Sequence, residues 1–417
     1  MKIYQIVGTW AFEEKFVGKR MIFLAGPRQI GKTTLSRLKL KELNQQNNYY
    51  NWDTLSVRQA FTRNPYFFLE NIPEVPSETQ SENHFPKYWT VFDEFHKHPK
   101  WKELLKGYYD ELGHFIRFVV CGSARLDLYR QTGESLIGRY FLFKMFPLSP
   151  NDVIFGKSFN FQKAWNTENS LSFSPPSLEW KEAVCQLYEI SGFPEPFLQG
   201  EKSFYLRWKE AHLSLLTTEE IRDLSRISDI VRLQQLVFLL PERIGSPLSL
   251  NNLSQTLQTS YNTVKLWLSA LEKVYLIFFI PPYSGRLSRT IKKEKKYYFW
   301  DWGILEDTGK KFENFLAVQL MRSISAWNEW GLGSFFLYYV RTRDGKEIDF
   351  LIIKNGNPFM LIEVKNRETN PDPSLFYFWE RLKPKFAFQV VLEKEMLKQV
   401  RPGIFIIDVF RFLSLLV

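Results

Sequence analysis

The chain has 417 residues, 45% of them hydrophobic and 17% aromatic, enough for two or three packed domains, which excludes a disordered chain. Its formal net charge of +10 favours an anionic partner such as nucleic acid. Two cysteines, Cys121 and Cys185, exclude a disulfide framework or a cysteine zinc site, and no apolar run reaches the roughly 18–20 residues that span a bilayer.

The first stretch, "MKIYQIVGTWAFEEK", is acidic where a signal peptide would have its apolar core. The expectation is therefore a soluble, cytoplasmic protein with no membrane segment. "RMIFLAG" (Arg20–Gly26) is an apolar run ending in glycine and reads as a buried strand. "KTTLSRLKLKEL" (Lys32–Leu43) has helical spacing. Between them run Gly26, Pro27, Arg28, Gln29, Ile30, Gly31, Lys32, Thr33 and Thr34, the spacing of a phosphate-binding loop between strand and helix. Its glycines let backbone N–H groups close around phosphates. Lys32 reaches the β- and γ-phosphates, and the Thr33 hydroxyl holds Mg²⁺.

"NIPEVPSETQSENHFPK" (Asn71–Lys87) is polar and proline-bearing and reads as a surface insert. "YWTVFDEFHK" (Tyr88–Lys97) reads as a strand delivering Asp93 to the Mg²⁺ shell and Glu94 to the attacking water. His96 and His98 read as a surface turn rather than a metal site, because no further ligand cluster accompanies them. A third strand, "RFVVCGSAR" (Arg117–Arg125), ends beside Ser123, a polar residue suited to sensing the γ-phosphate; helix capping is its ordinary alternative. Arg139 is placed to act as a finger on a neighbour's nucleotide, which implies a homo-oligomer; a surface salt bridge is its ordinary alternative.

"GPRQIGKTT", "FDEFHKHPKW" and "GRYFLFKMFPLSP", in this order, resemble the AAA-type ATPases of a small prokaryotic clade, over roughly residues 1–150. The resemblance implies ATP, with Mg²⁺, as the cofactor. No guanine-reading Asn-Lys-x-Asp run is present.

"NTENSLSFSPPSLEW" (Asn166–Trp180) reads as a loop or boundary, and "ISGFPEPFL" (Ile190–Leu198) as a turn before a helical pattern over Lys202–Leu240. In Ser246–Ile280, Leu250, Leu253 and Leu257 mark one helix. Val264, Trp267, Leu268 and Leu271 mark a second, and a strand follows: a winged-helix pattern. Asn262, Lys265 and Ser269 would face a DNA groove. Arg286, Arg289, Lys292, Lys293, Lys295 and Lys296 form a basic, wing-like loop suited to phosphates.

"FENFLAVQLMRSISAW" (Phe312–Trp327) reads as a helix with Glu313 in its first turn. "KEIDFLIIKNGNPFMLIEVKNRE" (Lys346–Glu368) reads as a hairpin, and its alternation brings Asp349 near Glu363 and Lys365. Carboxylates and a lysine gathered on one sheet could hold Mg²⁺ between Asp349 and Glu363 and cut a phosphodiester. Glu313, Asp349 and Glu363-Val364-Lys365 look like the PD-(D/E)XK nuclease superfamily. Over almost its whole length the chain resembles the prokaryotic family joining an AAA-14 type ATPase to a DUF-4143 type C-terminal region with such nuclease-like motifs.

The expected fold is α/β: an AAA-type parallel sheet over residues 1–160, a helical and winged-helix-like region over 161–305, and a restriction-endonuclease-like domain over 306–417. The expected function is an Mg-dependent ATPase controlling a DNA-binding, nuclease-like region. The alternative is an ATP-driven switch that binds protein partners, its nuclease-like domain inactive.

Overall fold

The computed structural model describes residues 3–72, 86–122, 136–160, 173, 175–221, 227, 229–284 and 294–417. It divides into two compact units, one of residues 1–146 and 155–159, the other of 147–154 and 160–417. Most of the Asn71–Lys87 insert, Ser123 and the loop from Arg286 to Lys293 lie outside the described residues.

The first unit is built on five parallel strands: β1 (Met21–Ala25), β2 (Tyr49–Asn51), β3 (Tyr88–Asp93), β4 (Ile116–Cys121) and β5 (Tyr140–Lys144). Their order is β2-β3-β4-β1-β5. β1 is buried at every position, as its unbroken apolar run requires of a strand covered on both faces. Helix α1 (Lys32–Glu42) follows β1, and α2 (Trp101–Leu112) packs through Trp101, Leu105 and Tyr108. Phe68, Phe92, Phe95, Tyr108 and Phe118 form one aromatic core on this sheet, mixing stacked and edge-on pairs.

In the second unit, Pro147–Ile154 form a strap ending in the short helix α3 (Pro150–Ile154). Helix α4 (Leu178–Glu189) comes next. The single helical pattern expected over Lys202–Leu240 is instead interrupted. Helix α5 (Lys202–Ser214) runs into a π turn at Leu215–Glu220, and α6 (Ile230–Leu239) starts afresh. The physical reasons are local. Thr217 and Thr218 bond back to the Leu213 and Ser214 carbonyls, and Asp229 caps the new helix through the Arg232 N–H.

Helices α7 (Leu250–Thr256) and α8 (Tyr261–Lys273) are capped by Ser249 and Ser260. They precede an antiparallel pair, β6 (Ile277–Ile280) and β7 (Lys296–Phe299). Val264, Trp267, Leu268 and Leu271 are buried, while Asn262 and Lys265 face solvent. Helix α9 runs over Thr308–Glu329, capped by Asp307. Glu313 therefore sits in its second turn, not its first, because the cap lies upstream of the apolar pattern that marked the helix.

A six-stranded mixed sheet completes the unit: β8 (Phe335–Arg341), β9 (Glu347–Lys354), β10 (Asn357–Lys365), β11 (Phe386–Val391), β12 (Leu397–Arg401) and β13 (Ile404–Asp408), ordered β12-β13-β11-β10-β9-β8. β8, β9 and β10 form an antiparallel meander, and β10, β11 and β13 run parallel. Helix α10 (Pro373–Leu382) covers β9 and β10 with Leu375 and Phe378.

One buried carboxylate ties two of the sequence motifs together. Asp301 accepts hydrogen bonds from Ser191 Oγ (2.9 Å), Tyr205 OH (3.0 Å) and the Gly303 N–H (3.1 Å). The adjacent Trp302 lies so close to Gly192 that a Cβ there would meet its ring at 2.4 Å, which is why "ISGFP" and "WDWG" need each other. Burial lifts the Asp301 carboxyl from 3.8 to about 6, its three donors opposing. The folded state thus holds this proton over a range where the unfolded chain releases it. Stability falls as pH rises from about 4 to 6 by roughly 3 kcal/mol, at ~1.4 kcal/mol per unit, and this contribution is flat above 6. Denaturant unfolding of Asp301→Asn should show the variant gaining about that much on the wild type between pH 4 and 6. A constant difference over that range would remove Asp301 from this role.

Candidate functional site

The nucleotide site grows from the end of β1. Gly26 has φ 149°, and a Cβ on it would meet the Met145 carbonyl oxygen at 2.4 Å, so only glycine fits. Gly31, at φ 99°, opens α1, whose first residue is Lys32. The Lys32 ammonium donates to the carbonyls of Gly26 (2.8 Å) and Pro27 (2.6 Å). Burial pulls it down to about 8 against the opposing charges of Glu94 and Asp93. Gln5 Nε2 pins the loop through the Ile30 carbonyl at 2.7 Å.

Thr33 Oγ1 donates to Asp93 Oδ2 at 2.6 Å, so the two groups expected to share a Mg²⁺ shell already touch. That contact is the observation of fit for the ion. Tyr49 OH donates to the same oxygen at 2.5 Å, and Arg37 lies over its ring. Tyr49 was not foreseen. It reaches Asp93 because β2 lies directly beside β3, a neighbour relation that spacing along the chain does not disclose.

Glu94 has φ 57° and its N–H bonds the Cys121 carbonyl, which turns the side chain off the end of β3. Its carboxylate lies 3.3 Å from Lys97 Nζ, and Lys97 is also gripped by both oxygens of Asp53. His96 is 4% exposed, with Nε2 3.7 Å from Glu94, so the surface turn expected at His96 and His98 is corrected at His96: it packs inward beneath the site. Arg139 forms a two-pronged ion pair with Asp110 of its own chain, the surface-bridge alternative.

A second site lies in the second unit. The last registered pair of the hairpin, Ile362 opposite Phe350, brings Asp349 and Glu363 to adjoining positions. The Val364 N–H donates to Asp349 Oδ2 at 3.0 Å. Lys365 Nζ bridges Glu363 Oε1 and Asp372 Oδ2, both at 2.9 Å, and Asp372 also caps α10. Glu363 Oε2 is buried and has no hydrogen-bond partner among the described residues. Burial, and then the Asp349 charge, push the Glu363 carboxyl up to about 8. A carboxylate oxygen lacking a donor, beside a second carboxylate, fits one divalent ion completed by water or phosphate oxygens. Among the described residues no three Asp, Glu, His or Cys side chains converge as a metal cage.

Glu313 reaches this cluster from α9, where Tyr298 OH donates to Oε1 at 2.7 Å. Between Glu313 and Asp349 stands Lys296, its side chain 1% exposed. Its Nζ is 2.6 Å from Glu347 and 3.3 Å from each of Glu313 and Asp349. This overturns the expectation that Lys296 contacts phosphates from a surface loop: β7 begins at Lys296, and its side chain points into the carboxylates. Lys295 is also drawn in, its ammonium over the Phe279 ring. Lys265 remains exposed on α8. Burial opposes charge on Lys296, but the surrounding carboxylates outweigh it and hold the ammonium well above its ordinary range. The sequence reading placed Lys296 on a basic surface loop, because it ends a run of cations, and did not single out Glu347.

Residues 18–154 match the family described as an AAA domain (AAA_14), residues 181–311 a domain of unknown function (DUF8612), and residues 308–411 a domain of unknown function (DUF4143). The chain therefore carries an AAA domain at its N-terminus and a DUF4143 domain at its C-terminus. An uncharacterized protein of Mycobacterium tuberculosis is 22% identical over 364 residues, 84% of this chain and 71% of that one. An uncharacterized protein of Haemophilus influenzae is 23% identical over 368 residues, 82% of this chain and 81% of its own. Among solved structures, the Aeropyrum pernix ORC1 protein in complex with DNA aligns with 67% of this chain and 83% of its own, at 15% identity and a TM-score of 0.30.

Proposed function

We propose that the first unit binds and hydrolyses Mg·ATP and that this reaction controls a DNA-binding, nuclease-like site in the second. The Thr33–Asp93 contact beside Lys32 carries the first half of this reading. Mg²⁺, when bound, would supply positive charge against the charge that develops on the phosphates. Gly26 to Thr34 would wrap the phosphates, Lys32 would leave its two carbonyls for them, and Thr33 and Asp93 would hold the ion. Glu94 would orient the attacking water once freed from Lys97. Ser123 is assigned the γ-phosphate, and Arg139 a neighbour's nucleotide in a homo-oligomer once it leaves Asp110.

In the second unit, Asp349 and Glu363 would hold one divalent ion that polarises a phosphodiester. Lys365, fixed by Asp372, would steady the developing charge, and Glu313 would shape the site from α9. DNA would approach through the exposed Lys265 and the basic residues Arg286, Arg289, Lys292 and Lys293. A second reading keeps the ATPase but makes the C-terminal site inactive and the partners proteins. The inward turn of Lys296 favours it, since it takes a cation off the surface, and Lys295 is half-buried over the Phe279 ring.

The ATPase reading is tested by two variants. Lys32→Ala should lose nucleotide binding. Glu94→Gln should bind ATP with near-normal affinity yet release ADP at least about a hundredfold more slowly, a typical loss for a missing general base. Normal turnover by Glu94→Gln would remove that residue from the reaction.

Salt dependence separates the two partner readings. DNA affinity should fall steeply with salt. Replacing Lys265, Arg286, Arg289, Lys292 and Lys293 by alanine should flatten the slope by roughly 0.9 for every phosphate that is no longer neutralised. DNA binding that is absent, or whose slope the replacements leave unchanged, favours the protein-partner switch.

A further inference from the structure

We propose that Lys296 is a built-in cation of the C-terminal site: its ammonium takes the place of a second divalent ion between Glu313 and Asp349, leaving a single divalent position at Asp349 and Glu363. The proposal rests on the divalent-ion reading above and says how many ions the site takes and why.

The geometry carries it. A structural ion pair needs one carboxylate, yet the Lys296 ammonium touches three: Glu347 at 2.6 Å, and Glu313 and Asp349 at 3.3 Å. These come from two separate elements, α9 and β9, and converge on the ammonium from β7. Each participant is anchored for that meeting. Lys296 pairs with Ile280 in the ladder and bridges to Pro247. Asn314, next to Glu313, bonds both the N–H and the carbonyl of Phe299, locking α9 to the other end of β7 (2.8 and 2.7 Å). Gly245 packs so tightly on the Glu313 carboxylate that a Cβ would meet Oε2 at 2.6 Å.

Distance explains why an ammonium, not a metal, sits there. Mg²⁺ takes oxygens at about 2.0–2.1 Å, whereas an ammonium is satisfied at hydrogen-bond range. Carboxylates spaced around Lys296 at these distances are too open for an ion while the lysine remains. Three carboxylates thus face two cations, Lys296 and the rim guanidinium of Arg341, which lies 3.3 Å from Glu347. Of the three carboxylates, Asp349 is the one that adjoins Glu363, whose Oε2 lacks a hydrogen-bond partner among the described residues, so the single divalent ion belongs between these two. Buried at 1% exposure, Lys296 acts through Glu313 and Asp349. It is a positioning residue.

The test is equilibrium Mn²⁺ binding to the full-length protein without nucleotide, read from the paramagnetic resonance of free Mn²⁺. Lys296→Met should bind one more ion than the wild type, and Lys296→Met/Glu313→Gln should lose that extra ion. Lys296→Gln, which keeps a polar group at the centre, is the second variant, and circular dichroism checks the fold of each. An additional ion in either folded variant supports the proposal; wild-type stoichiometry in every variant that folds overturns it. If neither folds alone, folding restored by Mn²⁺ supports it, and failure to fold with Mn²⁺ overturns it. Glu363→Gln tests the underlying reading separately: if the wild-type count does not fall by one, that reading fails whatever the Lys296 variants do.

Discussion

A lysine buried among three carboxylates constrains how β7, α9 and β9 meet in the second unit. Burying one charge is tolerable only if its partners are held in place, and removing one side of such an arrangement typically costs about 3–5 kcal/mol. Lys296 therefore dictates where β7 begins, how α9 lies against it through Asn314, and why glycine stands at 245. The hairpin β9–β10 must then offer Glu347 and Asp349 to the same point. The central and C-terminal parts of the chain lie in one compact unit, and this charge is among the contacts that join them.

The first unit has a corresponding constraint at Gly26, and the chain itself joins the two. β5 ends at Lys144, and the next carbonyl, Met145, presses on Gly26 of the phosphate-binding loop. Two residues later the strap Pro147–Ile154 is clamped onto α9. Arg322 donates to the Pro147 carbonyl (3.2 Å) and to Asp152 Oδ1 (2.8 Å), and Gln319 donates to the Leu148 carbonyl (3.2 Å). Helix α9 is also the helix that carries Glu313.

Much of this was legible in the sequence, for physical reasons. The phosphate loop declares itself because glycines, a lysine and a threonine must follow one another to wrap phosphates, and a fully buried parallel strand must read as an apolar run. The α/β class and the parallel sheet of the first unit followed from those signals. Alternation in the hairpin brought Asp349 to Glu363 because strand side chains repeat every second residue. What stayed hidden depends on neighbours distant along the chain. Tyr49 reaches Asp93 only because β2 pairs with β3, and Lys296 leaves the surface only because three carboxylates await it. His96 looked solvated until its turn folded under β3. The break in the Lys202–Leu240 helix lay in a capping aspartate and two back-bonding threonines, signals weaker than the apolar periodicity that ran across them.

Under the proposed function the nucleotide site controls the carboxylate site. The most direct measurement is amide hydrogen exchange of the full-length protein with and without Mg·ATP, using Glu94→Gln to keep ATP bound and Lys32→Ala as control. With such control, ATP should change exchange in Pro147–Ile154 and across Glu347–Lys365 in Glu94→Gln, and change neither in Lys32→Ala. ATP that alters exchange around Gly26–Thr34 while leaving Glu347–Lys365 unaltered would contradict it.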